Sequence, residues 1–556
     1  MKKVLECVPN ISEGRNGAII EKVANAVRKV EGVKLLHIDA GESTNRTVFT
    51  FAGEPEQVIE AVFRLIEQTA ELIDMQSHKG SHPRMGATDV CPLVPISGIT
   101  IAEAVALSQK LGQRVANELN IPVYLYEYSA TAPYRKSLAD IRSGEYEGFE
   151  QKIRDPQWKP DYGKAIFNRK SGQTVIGVRD FLVAYNVNLN TKSVRRANSV
   201  AFDIRESGRV KKENGKTVLD GKGEAVREAG KLKHCRGIGW YIEEYGFAQV
   251  SLNLTNINET ALHTVFEAAD ESARARGLRI TGSELVGLVP KQSLIDAGVH
   301  FLSKQNRSIG VPESEVIDYA IHSLGLNEIK PFVVKERVIE YLLEEPKPKL
   351  IDLTVRAFCE KVGSESAAPG GGSVGALCAA LGVSLGQMVA NLSANKSGWD
   401  DKITVFSTVA QRFQALQDRL LSLVDEDTAA FNEVLSAYGL PKGSEKEKAI
   451  RADAIEKANQ GAALIPLEVM KTAFKAYSDL LLMVTDGNPN SITDAGVGSL
   501  CLSVGIQATA MNVAINLKSI KDKNFIETTK TSMETIMDEA MNAQDKIMEK
   551  LATVMD

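Results

Sequence analysis

Residues 75–96 read MQSHKGSHPRMGATDVCPLVPI, with two histidines, a lysine and an arginine inside seven positions, ahead of a strand-forming apolar run. That density of titratable groups leaves three readings: a metal site, an acid/base catalyst or an ordinary loop. His78 and His82 stand four apart, a spacing that holds zinc when both lie on one helix face. Gly80 and Pro83 break the helix that such a site needs, so no metal is expected. The other two readings are a loop imidazole held by hydrogen bonds and an imidazole that moves a proton near neutral pH.

A second cluster lies in the last third of the chain, where no histidine follows His322. Acid/base chemistry there must use carboxylate, lysine, cysteine or water. Residues 403–438 carry a helical stripe of Phe413, Leu416, Leu420, Val424, Phe431, Val434 and Tyr438. Steps of three and four put Asp427 on that stripe. A carboxylate on a buried stripe is costly, and burial raises its pKa toward the range useful for proton transfer. It equally fits an aspartate that caps a neighbouring helix. Asp425 falls off the stripe and reads as solvated, although the motif VDEDTAAF admits either aspartate.

Upstream, GGGSVG at 370–375 matches G-x-G-x-x-G. A dinucleotide site needs a strand before that motif, whereas VGSESAAP precedes it here and an Ala-rich helix follows, so no nucleotide is expected. Gly371, Gly372 and Ser373 instead let the backbone approach either another helix or a ligand at a helix N-terminus. Asp494, in NSITDAGVG, reads as the N-cap of a helix over 495–517 or as a site-lining carboxylate. Asn512 and Asn516 share one face of that helix.

The chain of 556 residues is long enough for more than two ordinary domains. A net charge of -5 gives no bulk attraction to nucleic acid or to an anionic membrane. No secretory signal and no unbroken apolar run of about 18 residues is read. Six scattered cysteines without a CxxC pair point to a reducing cytoplasm. The first half alternates strand and helix patterns, with helices over 18–30, 57–73 and 101–119. A second set opens near residue 174. Strand pairs beside single helices predict two ferredoxin-like α/β (α+β) subdomains on antiparallel sheets, over 1–178 and 179–330. A linker over 331–350 ends in EEPKPKL, and residues 351–556 predict an all-α helical bundle. The stretch 209–236 holds nine Lys/Arg against four Asp/Glu and reads as a solvated hairpin or as an arm for an anionic substrate. An RNA-reading sheet is not expected, because YGFAQVSL (245–252) places Gln249 where a stacking aromatic would stand.

Several long stretches together resemble glutamate formimidoyltransferase: ECVPNISEGRN (6–16), DAGESTNRTVFTFAG (39–53), HKGSHPRMGATDVCPLVP (78–95), PVYLYEYSA (122–130), GIGWYIEEYGFAQVSLNLTN (237–256) and SELVGLVP (283–290). RAFCEKVGSESAAPGGGSVGALCAALGVSLGQMV (356–389) and SLVDEDTAAFNEVLSAYGLPK (422–442) resemble formimidoyltetrahydrofolate cyclodeaminase, the usual fusion partner. The resemblance implies a bifunctional enzyme of histidine degradation. Its first half would move a formimidoyl group from N-formimidoyl-L-glutamate to N5 of tetrahydrofolate, and its second half would close the product to 5,10-methenyltetrahydrofolate and ammonia. It implies His82, within HPRMG, as the catalytic histidine. Asp39 would orient His82 or a pterin nitrogen, and a turn-capping role before Gly41 is the other reading. A dicarboxylate donor would suit Arg46 and Arg84 as bidentate grips, if they are not surface salt bridges. The folate segment implied is 162–172, with Gly163, Lys164 and Gly172. The resemblance implies tetrahydrofolate, expected to be polyglutamylated, as the co-substrate, and the 209–236 arm would be a candidate tether for its tail. Small molecules are the expected partners of a homo-oligomer built from dimers. A formyl donor and a catalytically silent folate scaffold are the readings that compete.

Overall fold

The computed structural model describes residues 3–42, 44–80, 83–343 and 349–555. It divides into two compact units, Met1–Asp296 with Leu324–Glu345, and Ala297–Ser323 with Pro346–Asp556.

The first unit opens with β1 (Val4–Cys7) and β2 (Asn10–Ile11), two pieces of one strand path. Pro9 interrupts the path because it lacks a backbone donor, while its carbonyl still accepts from Phe49 N at 3.0 Å. There follow α1 (Gly17–Arg28), β3 (Val33–Gly41), β4 (Arg46–Gly53), α2 (Pro55–Leu72), β5 (Thr88–Ser97), α3 (Ile101–Leu119) and β6 (Val123–Glu127). Two short helices, α4 (Leu138–Arg142) and α5 (Glu145–Lys152), precede β7 (Thr174–Val178). The seven strands form one sheet in which β3, β4, β1/β2 and β5 lie side by side and antiparallel. This is a ferredoxin-like βαββαβ unit. The expectation of a purely antiparallel sheet needs one correction: β7 runs parallel to both β5 and β6, so the sheet is mixed. The strand at 174, read as opening the second set, thus belongs to the first. α3 makes the parallel arrangement possible, because a strand can return in the same direction only through a crossover. A capping box between Thr100 and Glu103 starts that helix, a device worth about 1 kcal/mol.

A second βαββαβ unit follows: β8 (Val183–Leu189), α6 (Val194–Ile204), the two-residue strands β9 (Arg209–Val210), β10 (Lys212–Glu213), β11 (Lys216–Thr217) and β12 (Arg227–Glu228), then β13 (Cys235–Ile242), β14 (Phe247–Leu254), α7 (Leu262–Arg274) and β15 (Ile280–Val286). Its sheet order, β13-β14-β8-β15, is antiparallel throughout and repeats the order of the first unit's core. The basic stretch 209–236 forms the small hairpins β9–β12, most of whose residues are exposed.

Helices α8 (Lys291–Lys304) and α9 (Glu313–Leu324) come next, and residues 297–323 cluster with the helical unit. The stretch expected as a linker instead carries α10 (Val334–Arg337) and α11 (Ile339–Leu343), with Val338 and Ile339 fully buried. The helical unit continues with α12 (Val355–Val362), α13 (Gly371–Ala394), α14 (Ile403–Tyr438), α15 (Glu445–Phe474), α16 (Tyr477–Asp486), α17 (Ile492–Leu517) and α18 (Lys523–Met555). α13 and α17 are apolar and long enough to match a membrane span, and here they pack against each other. Glycine makes that packing close: a Cβ on Gly382 would sit 2.6 Å from Gly498 O, and one on Gly505 would sit 2.8 Å from Gly375 O. The pairings 382 with 498 and 375 with 505 run in opposite senses, so the two helices are antiparallel.

Candidate active sites

In the first unit, four loops quoted for the resemblance meet. Asn45 joins two of them by accepting from Gly14 N at 2.9 Å and donating Nδ2 to Lys79 O at 2.9 Å. Gly80 and Gly86 press the 78–86 loop onto Thr44 and Gln173, leaving no room for a Cβ. Gly172, at φ 67°, bridges back to Gly86, so the segment 162–172 ends against the same loop.

His78 has both ring nitrogens engaged. Arg84 Nε reaches Nδ1 at 3.2 Å, and Nε2 lies 3.0 Å from Asn45 O. A guanidinium only donates and a carbonyl only accepts, so the ring is neutral with its proton on Nε2. Burial accordingly pushes its pKa below the ordinary value, with the Arg84 charge adding to the effect. His78 is therefore the loop imidazole, and His82 lies outside the described residues. Arg84 is not free to grip a substrate: Glu147 takes its fork at 2.7 and 2.8 Å and Glu145 adds a contact at 3.2 Å.

Arg46 sits differently. Its Nε and Nη2 donate to Asn10 Oδ1 at 2.9 and 2.6 Å, and its Nη1 pairs with Asp89 at 3.2 Å. Asp89 is 1% exposed, accepts from Met85 N at 2.9 Å, and also holds Arg142 at 2.6 Å. Two guanidiniums, those of Arg46 and Arg142, share this carboxylate. Burial lowers Arg46 to about 10 while Asp89 opposes the shift, so the group stays charged at neutral pH. Paired guanidiniums of this kind are suited to receive a substrate carboxylate. Asp39 is not in this cluster; it is exposed on the edge strand β3, opposite Val48.

Gly163 and Lys164 line a cavity of about 720 Å³ together with Asn117, Asn120, Phe167 and Asn168. Lys164 is the charged residue in that lining, and Gly163 holds φ 93°, a left-handed backbone that favours glycine. Sequence reasoning missed Asp89, Arg142 and Asn10. It also missed Gln173, fully buried, whose amide finds no partner at either end among the described residues. The one available signal was Asp89 itself, an acidic residue opening a strongly apolar strand.

In the helical unit, the start of α13 meets the middle of α14. Ser373 is fully buried, and its Oγ lies 3.0 Å from Asp427 Oδ2, 2.9 Å from Val424 O and 3.2 Å from Thr428 Oγ1. The Ser373 backbone N–H also reaches the carboxyl. Asp427 thus caps α13, as one of its two readings required, and its carboxylate faces the positive end of that helix. Burial still dominates and raises its pKa, with the two Ser373 bonds opposing. A Cβ on Gly372 would overlap the Asp427 carboxyl, and one on Gly371 would lie 3.0 Å from Asn512 Nδ2. The glycine run permits a close approach between helices, and the Ser373 side chain turns inward to Asp427.

Two expectations about neighbouring aspartates change. Asp425 is half-buried, not solvated: Oδ1 accepts from Leu350 N at 2.6 Å and Oδ2 is buried without a partner among the described residues. α17 begins at Ile492 after Ser491, so Asp494 lies inside its first turn and is not the N-cap. α13 meets α17 near Asn512 at the Asp427 end. Asp494 is 18 residues earlier, roughly 27 Å along the helix at its rise per residue, and is remote from Asp427. Asn516 donates to Ala462 O at 2.7 Å and bridges to α15.

Comparison with known proteins covers both units. Residues 4–179 match the formiminotransferase domain, N-terminal subdomain, residues 184–344 the formiminotransferase domain, and residues 354–535 the family described as formiminotransferase-cyclodeaminase. A formimidoyltransferase-cyclodeaminase of Dictyostelium discoideum is 40% identical over 556 residues, 99% of each chain. The protein of that name in Mus musculus is 40% identical over 543 residues, 97% of each chain. A glutamate formimidoyltransferase of Streptococcus pyogenes serotype M1 is 40% identical over 306 residues, which are 55% of this chain and 95% of that one.

Proposed function

This chain belongs to the formimidoyltransferase-cyclodeaminase family, and we propose on that footing that it performs two successive folate reactions of histidine degradation. The first transfers the formimidoyl group of N-formimidoyl-L-glutamate to N5 of tetrahydrofolate. The second closes 5-formimidoyltetrahydrofolate to 5,10-methenyltetrahydrofolate and releases ammonia. The observation that carries this reading is the match of both relatives across nearly the whole chain, with the Asp427 cluster in the helical unit as its chemical counterpart.

In the transfer, N5 must lose a proton as it attacks the amidine carbon, and the departing glutamate nitrogen must gain one. An imidazole can serve both steps, and His82 is the residue proposed. The two guanidiniums gathered at Asp89 support a role for Arg46 and Arg142 in holding a glutamate carboxylate. The cavity at Gly163 and Lys164 supports folate binding there, where the lysine suits an anionic tail. In the cyclisation, N10 attacks the carbon of the protonated formimidoyl group (CH=NH2+), which leaves an NH2 on that carbon, and passes its own proton to Asp427. The same proton then leaves with the nitrogen that departs as ammonia. The raised pKa of Asp427 supports that exchange.

A reducing, cytoplasmic setting and assembly with further copies of the chain belong to the same reading. All six cysteines are free thiols. Leu381, Met388 and Leu392 on α13, with Val504, Met511 and Ile515 on α17, stay between 38% and 71% exposed on the two central helices, an apolar face suited to a second copy. The test of function is an absorbance assay with tetrahydrofolate and N-formimidoyl-L-glutamate, following methenyltetrahydrofolate and ammonia together. Both products are expected; formation of neither by folded protein that binds folate would overturn the proposal.

A further inference from the structure

The hydroxyl of Ser373 has one proton and faces two acceptors, Asp427 Oδ2 at 3.0 Å and Val424 O at 2.9 Å. It can donate to only one of them at a time. Thr428 Oγ1, at 3.2 Å, is placed to donate to Ser373. When Asp427 is ionised, Ser373 donates to the carboxylate and accepts from Thr428. When Asp427 is protonated, its O–H donates to Ser373, which turns its own proton to the Val424 carbonyl. Every group keeps a partner in both states, and only one hydroxyl rotates.

We infer that Ser373 is a positioning residue that lets Asp427 take up and release a proton without moving a heavy atom. The inference rests on Asp427 as the acid/base of cyclisation. The surroundings leave Ser373 as its partner. The first two turns of α13, GGSVGAL, hold no titratable side chain, and α17 presents the neutral Asn512 and Thr509. On α14, Asp425 is turned to Leu350 N, and Glu426 pairs with Arg419 at 2.5 Å. Among the described residues no cation pairs with Asp427, and the bonds from Ser373 favour its ionised form against burial.

The experiment measures kcat for cyclisation of supplied 5-formimidoyltetrahydrofolate against pH in the full chain, for wild type, Ser373→Ala, Ser373→Cys and Asp427→Asn. Rate should rise with pH through the Asp427 ionisation. Removing the hydroxyl removes a donor to the charged form, so the midpoint in Ser373→Ala should move up by roughly one unit with KM little changed. The thiol is a weak donor of similar shape, so Ser373→Cys should fall between the two. A lower kcat with an unmoved midpoint in both Ser373 variants would show that Ser373 only packs, and would overturn the inference. Full cyclisation by Asp427→Asn would instead overturn the role of Asp427 itself, a separate failure.

Discussion

Asp89 and Asp427 are both carboxylates drawn out of water, and they differ in what surrounds them. Asp89 is 1% exposed between two guanidiniums and a backbone N–H. Asp427 is half-buried with one hydroxyl and one backbone N–H, and no cation pairs with it among the described residues. Cations hold a buried carboxylate ionised and turn it into an anchor for the arginines around it. Without them, desolvation brings the two protonation states closer in free energy, which is what proton transfer requires. The same residue type thus ties two arginines together in one unit and, on the proposed function, carries a proton in the other.

The largest expected effect is on rate. Asp427→Asn keeps the shape and loses the ionisable group, so cyclisation should fall by about 10²–10⁴-fold, while transfer from N-formimidoyl-L-glutamate continues. Separate assays of the two half-reactions check this. Loss of both in a folded variant would mean that the two sites are not independent. Next comes stability. Asp89→Asn would remove the carboxylate that Arg46 and Arg142 share, at a cost of about 3–5 kcal/mol. Thermal unfolding of the first unit should drop on the order of 10 °C. A variant that unfolds like wild type would break the contrast, because Asp89 would then not be an anchor.

Asp427 was legible because a single helix carries its own periodicity, and the expected bounds 403–438 coincide with α14. The expected stripe is less regular than read: Leu420 and Val424 are buried, whereas Tyr438 is 50% exposed, because the far end of α14 runs beyond the packed core. Both βαββαβ cores were legible from alternating periods. The parallel pairing of β7 was not, since strand direction depends on a crossover and leaves no local pattern. The Asp89 cluster was missed because Asn10, Arg46, Asp89 and Arg142 come from four separate elements. The salt-bridge partners of Arg84 were not legible for the same reason, Glu145 and Glu147 lying some sixty residues away in sequence. The two readings of Asp494, N-cap or site-lining carboxylate, stayed open because sequence does not reveal which end of an antiparallel helix faces its neighbour.

A third buried carboxyl sharpens the comparison. Glu6 is 2% exposed on β1, and burial raises it to about 8, with Arg179 pulling down and Glu340 pushing up. One partly effective cation places it between the other two in character. The folded protein holds this proton at pH values where the unfolded chain, near the ordinary 4.5, has released it. Its contribution to stability is therefore complete below about 4.5 and is lost as pH rises toward 8. Glu6→Gln is neutral at every pH, so the variant should match wild type at pH 4.5 and exceed it at pH 8 in urea unfolding. An equal difference at both pH values would show that Glu6 is ionised throughout.

The smallest effect expected is at Asp425, two residues from Asp427 on the same helix. Its Oδ1 accepts the Leu350 N–H at 2.6 Å, which ties the start of residues 350–352 to α14, and its second oxygen is buried without a partner among the described residues. Asparagine keeps an oxygen for Leu350 and replaces the unpartnered oxygen with an NH2 group in similar surroundings. The change trades a charged acceptor for a neutral one, about 1 kcal/mol of stability at most. Cyclisation should stay within about threefold of wild type, because Asp425 touches neither Ser373 nor Gly372. Side-by-side progress curves for Asp425→Asn and Asp427→Asn decide the assignment within VDEDTAAF. If Asp425→Asn is the variant that stops cyclisation, proton transfer belongs to the carboxylate with the orphaned oxygen, and the serine-bonded one becomes a helix cap.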